Sequence, residues 1–234
     1  MSKTKKAVII GSVLVGIGVI IGFIGIAIGG FKFPNGAVDL TTMKALHAEK
    51  KTVQIADAFD KIEIAGASSM DIEICKSKTG KNYVEYYDTD DWTSHVDVKD
   101  HVLKFTTDDK GKHKAIVSLG FGKDTVARLY LADAEYKEIA VTTLSGYVTI
   151  QDVNAGTVNV FASSGDIDLE RCDAEGFDIT TSSGDVDMEI TAGRTYRFET
   201  KTNSGDVDVP DGDADSDYLC KIVTSSGDVD VKQK

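Results

Sequence analysis

Proline and cysteine are scarce in this chain, and positive charge is thin. Among 234 residues there are two Pro and three Cys, and 26 Lys and Arg stand against 38 Asp and Glu, for a formal net charge of −12. So few basic residues argue against a nucleic-acid partner, because Lys and Arg are what displace the counterions of phosphate. The same sign argues against a surface lying flat on anionic lipid. The three Cys (Cys75, Cys172, Cys220) are widely spaced and form no C-x-x-C, which leaves zinc and thioredoxin-like readings without support. An odd number is a poor basis for a disulfide framework. Small buried hydrophobes are the favoured reading, with one bridge and one free thiol as the alternative. The four His (His47, His95, His101, His113) lack metal-ligand spacing and read as surface or strand residues.

What is present begins with an apolar run. Ala7 to Gly30, "AVIIGSVLVGIGVIIGFIGIAIGG", contains no charge, and about twenty apolar residues span a bilayer as a helix. A signal-peptide core is shorter and ends at a small-x-small cleavage site that is missing here, so the run reads as an uncleaved anchor. Lys3, Lys5 and Lys6 precede it and only Lys32 follows closely, which orients the N-terminus to the cytoplasm and residues 34–234 outward. Taking those four positive charges from the total leaves −16 on the remainder. Gly18, Gly22, Gly25 and Gly29 form two G-x-x-x-G pairs on one helix stripe, so a homo-oligomer through the membrane helix is an expectation to test.

The C-terminal part repeats itself. "SSGDIDL" (163–169), "SSGDVDM" (182–188), "NSGDVDV" (203–209) and "SSGDVDV" (225–231) follow a worn copy, "LSGYVTI" (144–150). Self-similarity near twenty residues marks a solenoid. Apolar and polar residues alternate on both sides of Ser-Gly-Asp, so each period is expected to hold a strand, a corner, a second strand and a looser return such as "DAEG", "TAGR" or "DGDADSD". Gly146, Gly165, Gly184, Gly205 and Gly227 are the expected corners, since glycine adopts backbone angles that a Cβ disfavours. Beyond the corner, period-two alternation sends Val inward, with Val148, Ile167, Val186, Val207 and Val229 as one ladder in chain order. Residues 57–138 carry the same grammar more loosely. The expected organisation is a cytoplasmic 1–6, a transmembrane anchor 7–30, a juxtamembrane linker 31–56, an irregular β part 57–138 and the repeat solenoid 139–234. The expected fold is all-β: a β-helix or β-solenoid, right-handed by preference, after one transmembrane helix.

The acids point outward on the same reasoning. Asp166, Asp185, Asp206 and Asp228 form one ladder, and Asp168, Asp187, Asp208 and Asp230 a second. Carboxylates about 4.8 Å apart repel one another. Ca²⁺ accepts several carboxylate oxygens and is the cofactor to consider. No loop adds a converging third or fourth ligand, so a solvated face that keeps a repetitive β-surface from aggregating is favoured, with no cofactor. The aromatic cluster "YVEYYDTDDW" (83–92) offers Tyr83, Tyr86, Tyr87 and Trp92 to sugar rings, but strand packing is the favoured role.

Taken together, "FDKIEIAGASSMDIEI" (59–74), "VARLYLADAEYKEIAVTTLSG" (126–146) and each "SSGDVD" resemble a bacterial family of adhesin-like proteins of unknown function, sometimes called LiaG-like. The resemblance runs from about Phe59 to Val231. It implies a membrane-anchored, acidic, β-helix-like protein of the envelope, in settings linked to envelope stress, with no catalytic residues assigned. Tyr147, Thr149 and Gln151 depart from the pattern where acids are expected, so a common acidic site begins only at Asp166.

The leading functional expectation is a non-enzymatic binding, adhesion or scaffold module at the envelope, with a cell-wall or envelope component as partner. A polysaccharide-active β-helix enzyme is the second. It needs paired carboxylates in a cleft, or a base near a bound metal, and Arg171, Arg194 and Arg197 are the cations near the ladders that a lyase would use. A self-assembling filament is the third.

Overall fold

A computed structural model describes residues 37–39, 44–45, 48–66, 70–89, 92–109, 116–118, 126–132 and 134–234. The expected anchor at 7–30, with Gly18, Gly22, Gly25 and Gly29, lies outside the described residues, as do His47 and His113. Among the described residues no helix is long and apolar enough to cross a membrane, and every regular element is a strand.

Three short strands, β1 (Ala37–Asp39), β2 (Lys44–Ala45) and, later in the chain, β9 (Ile116–Ser118), form a small separate sheet. The main body starts with β3 (Ala48–Ile55), β4 (Lys61–Ala65), β5 (Asp71–Lys76), β6 (Asn82–Thr89), β7 (Trp92–Lys99) and β8 (Val102–Asp109). After β9 (Ile116–Ser118) come β10 (Val126–Leu131), β11 (Glu135–Ser145), β12 (Val148–Gln151), β13 (Asn154–Ser164) and β14 (Ile167–Ser183). The chain ends with β15 (Val186–Ile190), β16 (Arg197–Lys201), β17 (Val207–Asp208), β18 (Leu219–Val223) and β19 (Val229–Gln233).

The strands wrap one core in two faces that together nearly close around it. The first face runs β3-β6-β10-β5-β12-β14-β15-β19-β17, and the second runs β7-β8-β4-β11-β13-β14-β18-β16. β14 belongs to both. Its first half pairs β12 and β15, and its second half pairs β13 and β18. Each coil therefore contributes one rung to each face, and parallel neighbours sit one repeat apart: Val148 opposite Ile167 and Ile167 opposite Val186. Neither face can bury its apolar side alone, so the coils share a core. Ile74, Ile150, Leu169, Met188 and Val231 line it from the first face, and Ile64, Val141, Val160, Ile179 and Ile222 from the second, all buried. Fully burying a side chain of this kind is worth about 1.5–3 kcal/mol.

Two expectations need correction. "DAEG" (173–176) is not a loose return, because β14 runs through it, with Ala174 fully buried. The last two coils are also stacked out of chain order. β19 lies between β15 and β17, and β18 lies between β14 and β16. The valine ladder thus reads Val186, Val229, Val207, and Val207 ends it 42% exposed. The apolar content of the coils accounts for the swap. The coil at 219–231 brings Cys220, Ile222, Val229 and Val231 to the core, all buried, whereas "RFETK" and Val207 have little to bury. The richer coil takes the interior rung and the poorer one caps the stack.

The other end is capped differently. β4 and β5 stack in parallel on β11 and β12, and β8 and β10 stack outside them. Antiparallel strands then finish each face, β7 against β8 and β6 against β10 and β3. Lys50 and Lys51 on the edge strand β3 are held by Glu85 and Asp88, both at 3.1 Å. Charge on an edge strand discourages pairing with another chain.

Candidate functional site: the glycine corner and the surfaces beside it

The repeated phrase sits where the chain passes from the second face to the first. Gly146, Gly165, Gly184, Gly205 and Gly227 all have φ between 125° and 151°, a region that a side chain makes costly. They also stack directly on one another. A Cβ placed on Gly184 would sit against the carbonyl oxygen and carbon of Gly165, inside van der Waals contact. Backbone bonds tie the rungs together here: Gly165 N–H donates to Ser183 O (2.9 Å), and Gly184 N–H to Ser226 O (3.0 Å). On the core side, Thr143, Thr181 and Thr224 are buried. The Thr181 hydroxyl donates to Gly165 O (3.5 Å) and that of Thr224 to Gly184 O (3.4 Å), satisfying carbonyls that the turn leaves without a ladder partner.

The two acid columns do different things. In the first, each carboxylate except that of Asp206 on the last rung accepts the backbone N–H of the acid on the next rung. Asp166 Oδ1 takes Asp185 N (2.9 Å), Asp185 Oδ1 takes Asp228 N (2.8 Å), and Asp228 Oδ1 takes Asp206 N (2.8 Å). Asp71 does the same for Tyr147 N (2.9 Å). This column is a chain of charge-assisted clamps across the corner, made by carboxylates that stay on the exposed surface. The second column has Asp168 in register with Asp187, Asp187 with Asp230, and Asp230 with Asp208. Burial first, and then Asp230, hold the Asp187 carboxyl above the usual carboxylate range. Burial, Glu170 and Asp187 do the same to Asp168. Lys232 offsets part of this by bonding Asp230 at 3.0 Å. Among the described residues no three His, Cys, Asp or Glu are grouped to hold a metal ion.

The opposite corner, from the first face back to the second, is turned without glycine on two rungs, while the return from β15 to β16 carries Gly193 at φ 133°. Asp152 and Arg171 take it at φ 55° and 52°, the left-handed region where non-glycine residues are uncommon. They lock each other with two bonds, Arg171 Nε to Asp152 Oδ1 (2.7 Å) and Nη2 to Oδ2 (3.1 Å). Arg171 holds the Asp152 carboxyl below the usual carboxylate range. Beside this pair opens a cleft of about 440 Å³ lined by Lys76, Tyr136, Asn154 and the pair itself. The other two cations considered for a lyase are also engaged, Arg194 with Asp173 and Arg197 with Glu199.

Strand alternation splits the aromatic cluster. Tyr86 is buried edge-on to Phe105, with centroids 5.6 Å apart, while Tyr83 lies on the outside and stacks on Tyr130 at 4.3 Å. Trp92 donates its indole N–H to Tyr87 O (3.2 Å). All three Cys are free thiols; Cys172 and Cys220 are buried, and Cys75 is partly so. Burial pushes both buried thiols up to about 12, so neither is a ready nucleophile. His95 lies on the surface against Asp108 (3.1 Å), and His101 occupies a turn at φ 63°.

The exposed apolar residues were not anticipated. Leu144 and Tyr147 are each 59% exposed and Phe161 is 47% exposed. Leu144 and Tyr147 belong to the worn copy, "LSGYVTI". Leu144 stands where the other copies have Ser163, Ser182, Asn203 and Ser225, and Tyr147 where they have Asp. Tyr147 stands out as a missing acid, and Leu144 as an apolar residue in a polar position, when the five copies are set side by side. Phe161 lies outside the phrase and carried no such signal.

Stacked coils, a shared glycine corner and mixed first turns define a two-faced β-solenoid. Residues 59–234 match the Toastrack family (DUF4097), and the chain belongs to it. None of the curated proteins matches the chain significantly. Among solved structures, it is similar to a proposed cell adhesion protein from Clostridium sporogenes, with 16% identity and a TM-score of 0.58 over 81% of this chain and 100% of that one. It is also similar to a proposed adhesin from Bacteroides fragilis, with 16% identity and a TM-score of 0.35 over 80% and 97%. At such identity the first likeness speaks for the fold alone.

Proposed function

We propose that this chain is a membrane-tethered, extracytoplasmic binding, adhesion or scaffold module of the bacterial envelope rather than an enzyme. The N-terminus is cytoplasmic, and the solenoid faces outward and contacts a wall or envelope component. One observation carries the reading. The repeated residues are occupied in holding the corner, whereas Leu144 and Tyr147, which break the repeat, and Phe161, which lies outside it, present apolar surface to solvent. Exposed apolar groups rimmed by polar residues mark contact surfaces. The cell-adhesion description of the similar Clostridium sporogenes structure is compatible with it. The Lys residues ahead of the apolar run support the orientation, and the acidic solenoid is compatible with it.

Two experiments test this. Protease added to intact wall-free cells is expected to remove the domain after Pro34; full protection reverses the orientation. Isolated envelope material is expected to retain the full chain, with weaker retention of a Leu144→Ser/Tyr147→Asp double variant that restores the repeat. Equal retention of the two removes the contact surface from the account.

A further inference from the structure

On the outer side of the second face the charges come in pairs and leave a gap. Lys104 with Glu63 (2.6 Å) and Lys61 with Glu138 (3.0 Å) stand on one side, and Lys221 with Asp178 (3.1 Å) and Arg197 with Glu199 (3.3 Å) on the other. Between them lies β13, flanked by β11 and β14, and its Asn159 donates Nδ2 to Glu138 Oε1 (3.2 Å). One row places Ala140 beside Asn159 and Asn159 beside Asp178, and the next places Thr142 beside Phe161 and Phe161 beside Thr180. Ala140 has almost no side chain, and the Phe161 ring stands up next to it. The surface dips there into an open depression of about 290 Å³, with Phe161 as one wall and Asn159, Thr142, Thr180 and the Asp178–Lys221 pair around it.

We propose that this depression binds a neutral glycan, an oligosaccharide of pyranose rings. The proposal rests on the binding-module reading and names its ligand class. The exposed aromatic ring supplies a flat apolar wall with polar surroundings, which suits the C–H face of a sugar. Glu138 takes one Asn159 N–H and so fixes the amide, and the amide, the Thr142 and Thr180 hydroxyls and the ion pair supply both donors and acceptors, the few placed polar groups that orient a hydroxyl-rich ligand. Charge selects a neutral one. The chain carries −12 overall, so a polyanion is repelled. A polycation is drawn instead to the column of Asp168, Asp187, Asp230 and Asp208 on the first face. A peptide adding as an extra strand needs an open edge, and β11, β13 and β14 are each paired on both sides. Leu144 continues the apolar wall toward the glycine corner.

The test uses the full chain in lipid nanodiscs, probed on an array of neutral oligosaccharides beside sulfated and uronate-containing ones, with isolated cell-wall sacculi in parallel. At least one neutral oligosaccharide is expected to retain the wild type. Phe161→Ala is expected to bind it about tenfold more weakly without a change in melting temperature, and Asn159→Ala several-fold more weakly. Tyr83→Ala, on the other face, is expected to bind as wild type. Retention by charged glycans alone, or undiminished binding by both Phe161→Ala and Asn159→Ala, overturns the site. If sacculi hold the wild type but no neutral glycan does, the glycan proposal falls and the binding-module reading stands. If neither holds it, both fall.

Discussion

The two corners of one coil turn the chain by different means. At the corner entering the first face the backbone itself sets the requirement: φ near 125–151° and a close approach of stacked rungs, which only glycine meets. Because every rung faces the same requirement, the letters repeat. At the corner leaving that face, Asp152 and Arg171 adopt ordinary left-handed angles and secure them with a side-chain ion pair. That solution is local to two rungs, and the sequence there drifts. A requirement of the backbone is written into every copy, while a requirement met by side chains is met differently each time.

The sharpest break between the corners is a methyl group. Gly184→Ala combines positive-φ backbone strain with a clash against the Gly165 carbonyl, and is expected to cost roughly 3–5 kcal/mol, measured by denaturant melts of the solenoid domain. Gly193→Ala is the control. Its φ is 133°, but a Cβ there meets nothing within 4 Å, so only strain remains, roughly 1–3 kcal/mol. Equal losses would mean that the stacked carbonyl contributes nothing. Gly205→Ala has the same clash on the capping rung and is expected to fray that rung before it unfolds the domain.

The corner was legible in the sequence because Gly146 through Gly227 must all be glycine, and the inward ladder because Val, Ile and Leu alternate with acids. The stacking order was not legible. Which coil lies next to which depends on how much each can bury, and a repeat alignment treats Val207 and Val229 as equivalent when one is exposed and the other buried. The split role of the acids was hidden for a similar reason. Asp185 and Asp187 look alike in the sequence, and only their positions relative to the corner amides distinguish them. Phe161 stands in a row of Thr142 and Thr180, a position that strand periodicity marks as outward without marking it as different.

Next in size comes the carboxylate clamp. Asp185→Ala leaves the Asp228 amide without its acceptor and is expected to cost about 1–2 kcal/mol. Asp185→Asn keeps an oxygen in the same place and is expected to cost less. If both cost nothing, water replaces the carboxylate without loss and the column is only a surface. The Asp152–Arg171 corner is expected to be weaker still. Arg171→Ala removes a two-point ion pair whose partners are both partly exposed, a smaller loss than that of the carboxylate clamp and one that shrinks in high salt. Its pH dependence has a definite sign. Arg171 lowers the folded-state value of Asp152, so the pair stabilises at neutral pH, and that stability is lost as pH falls through the lowered value. A wild-type advantage over Arg171→Ala that persists unchanged in strong acid would break the assignment.

The smallest effect has the opposite sign. Asp187 faces Asp168 and Asp230 across the rungs, and its carboxyl lies above the usual range because burial and Asp230 disfavour the charged form. The folded protein therefore holds that proton more tightly than the unfolded chain, and the charged group opposes folding at neutral pH. Asp187→Asn is expected to stabilise the domain by a few tenths of a kcal/mol. The gain should be larger at low salt and fade as pH falls through the raised value, where protonation already removes the charge. A Ca²⁺ site would behave in reverse. Ca²⁺ would raise the melting temperature of the wild type by mass action, and the variant would lose that rise. Asp166, Asp185 and Asp228 already direct one oxygen each at a backbone amide, which leaves the second column to bind an ion largely by itself. The expected result is a small gain for Asp187→Asn and no Ca²⁺-specific shift beyond that of matched NaCl. A loss of stability together with a Ca²⁺ response only in the wild type would make the second column a metal site and the first its scaffold.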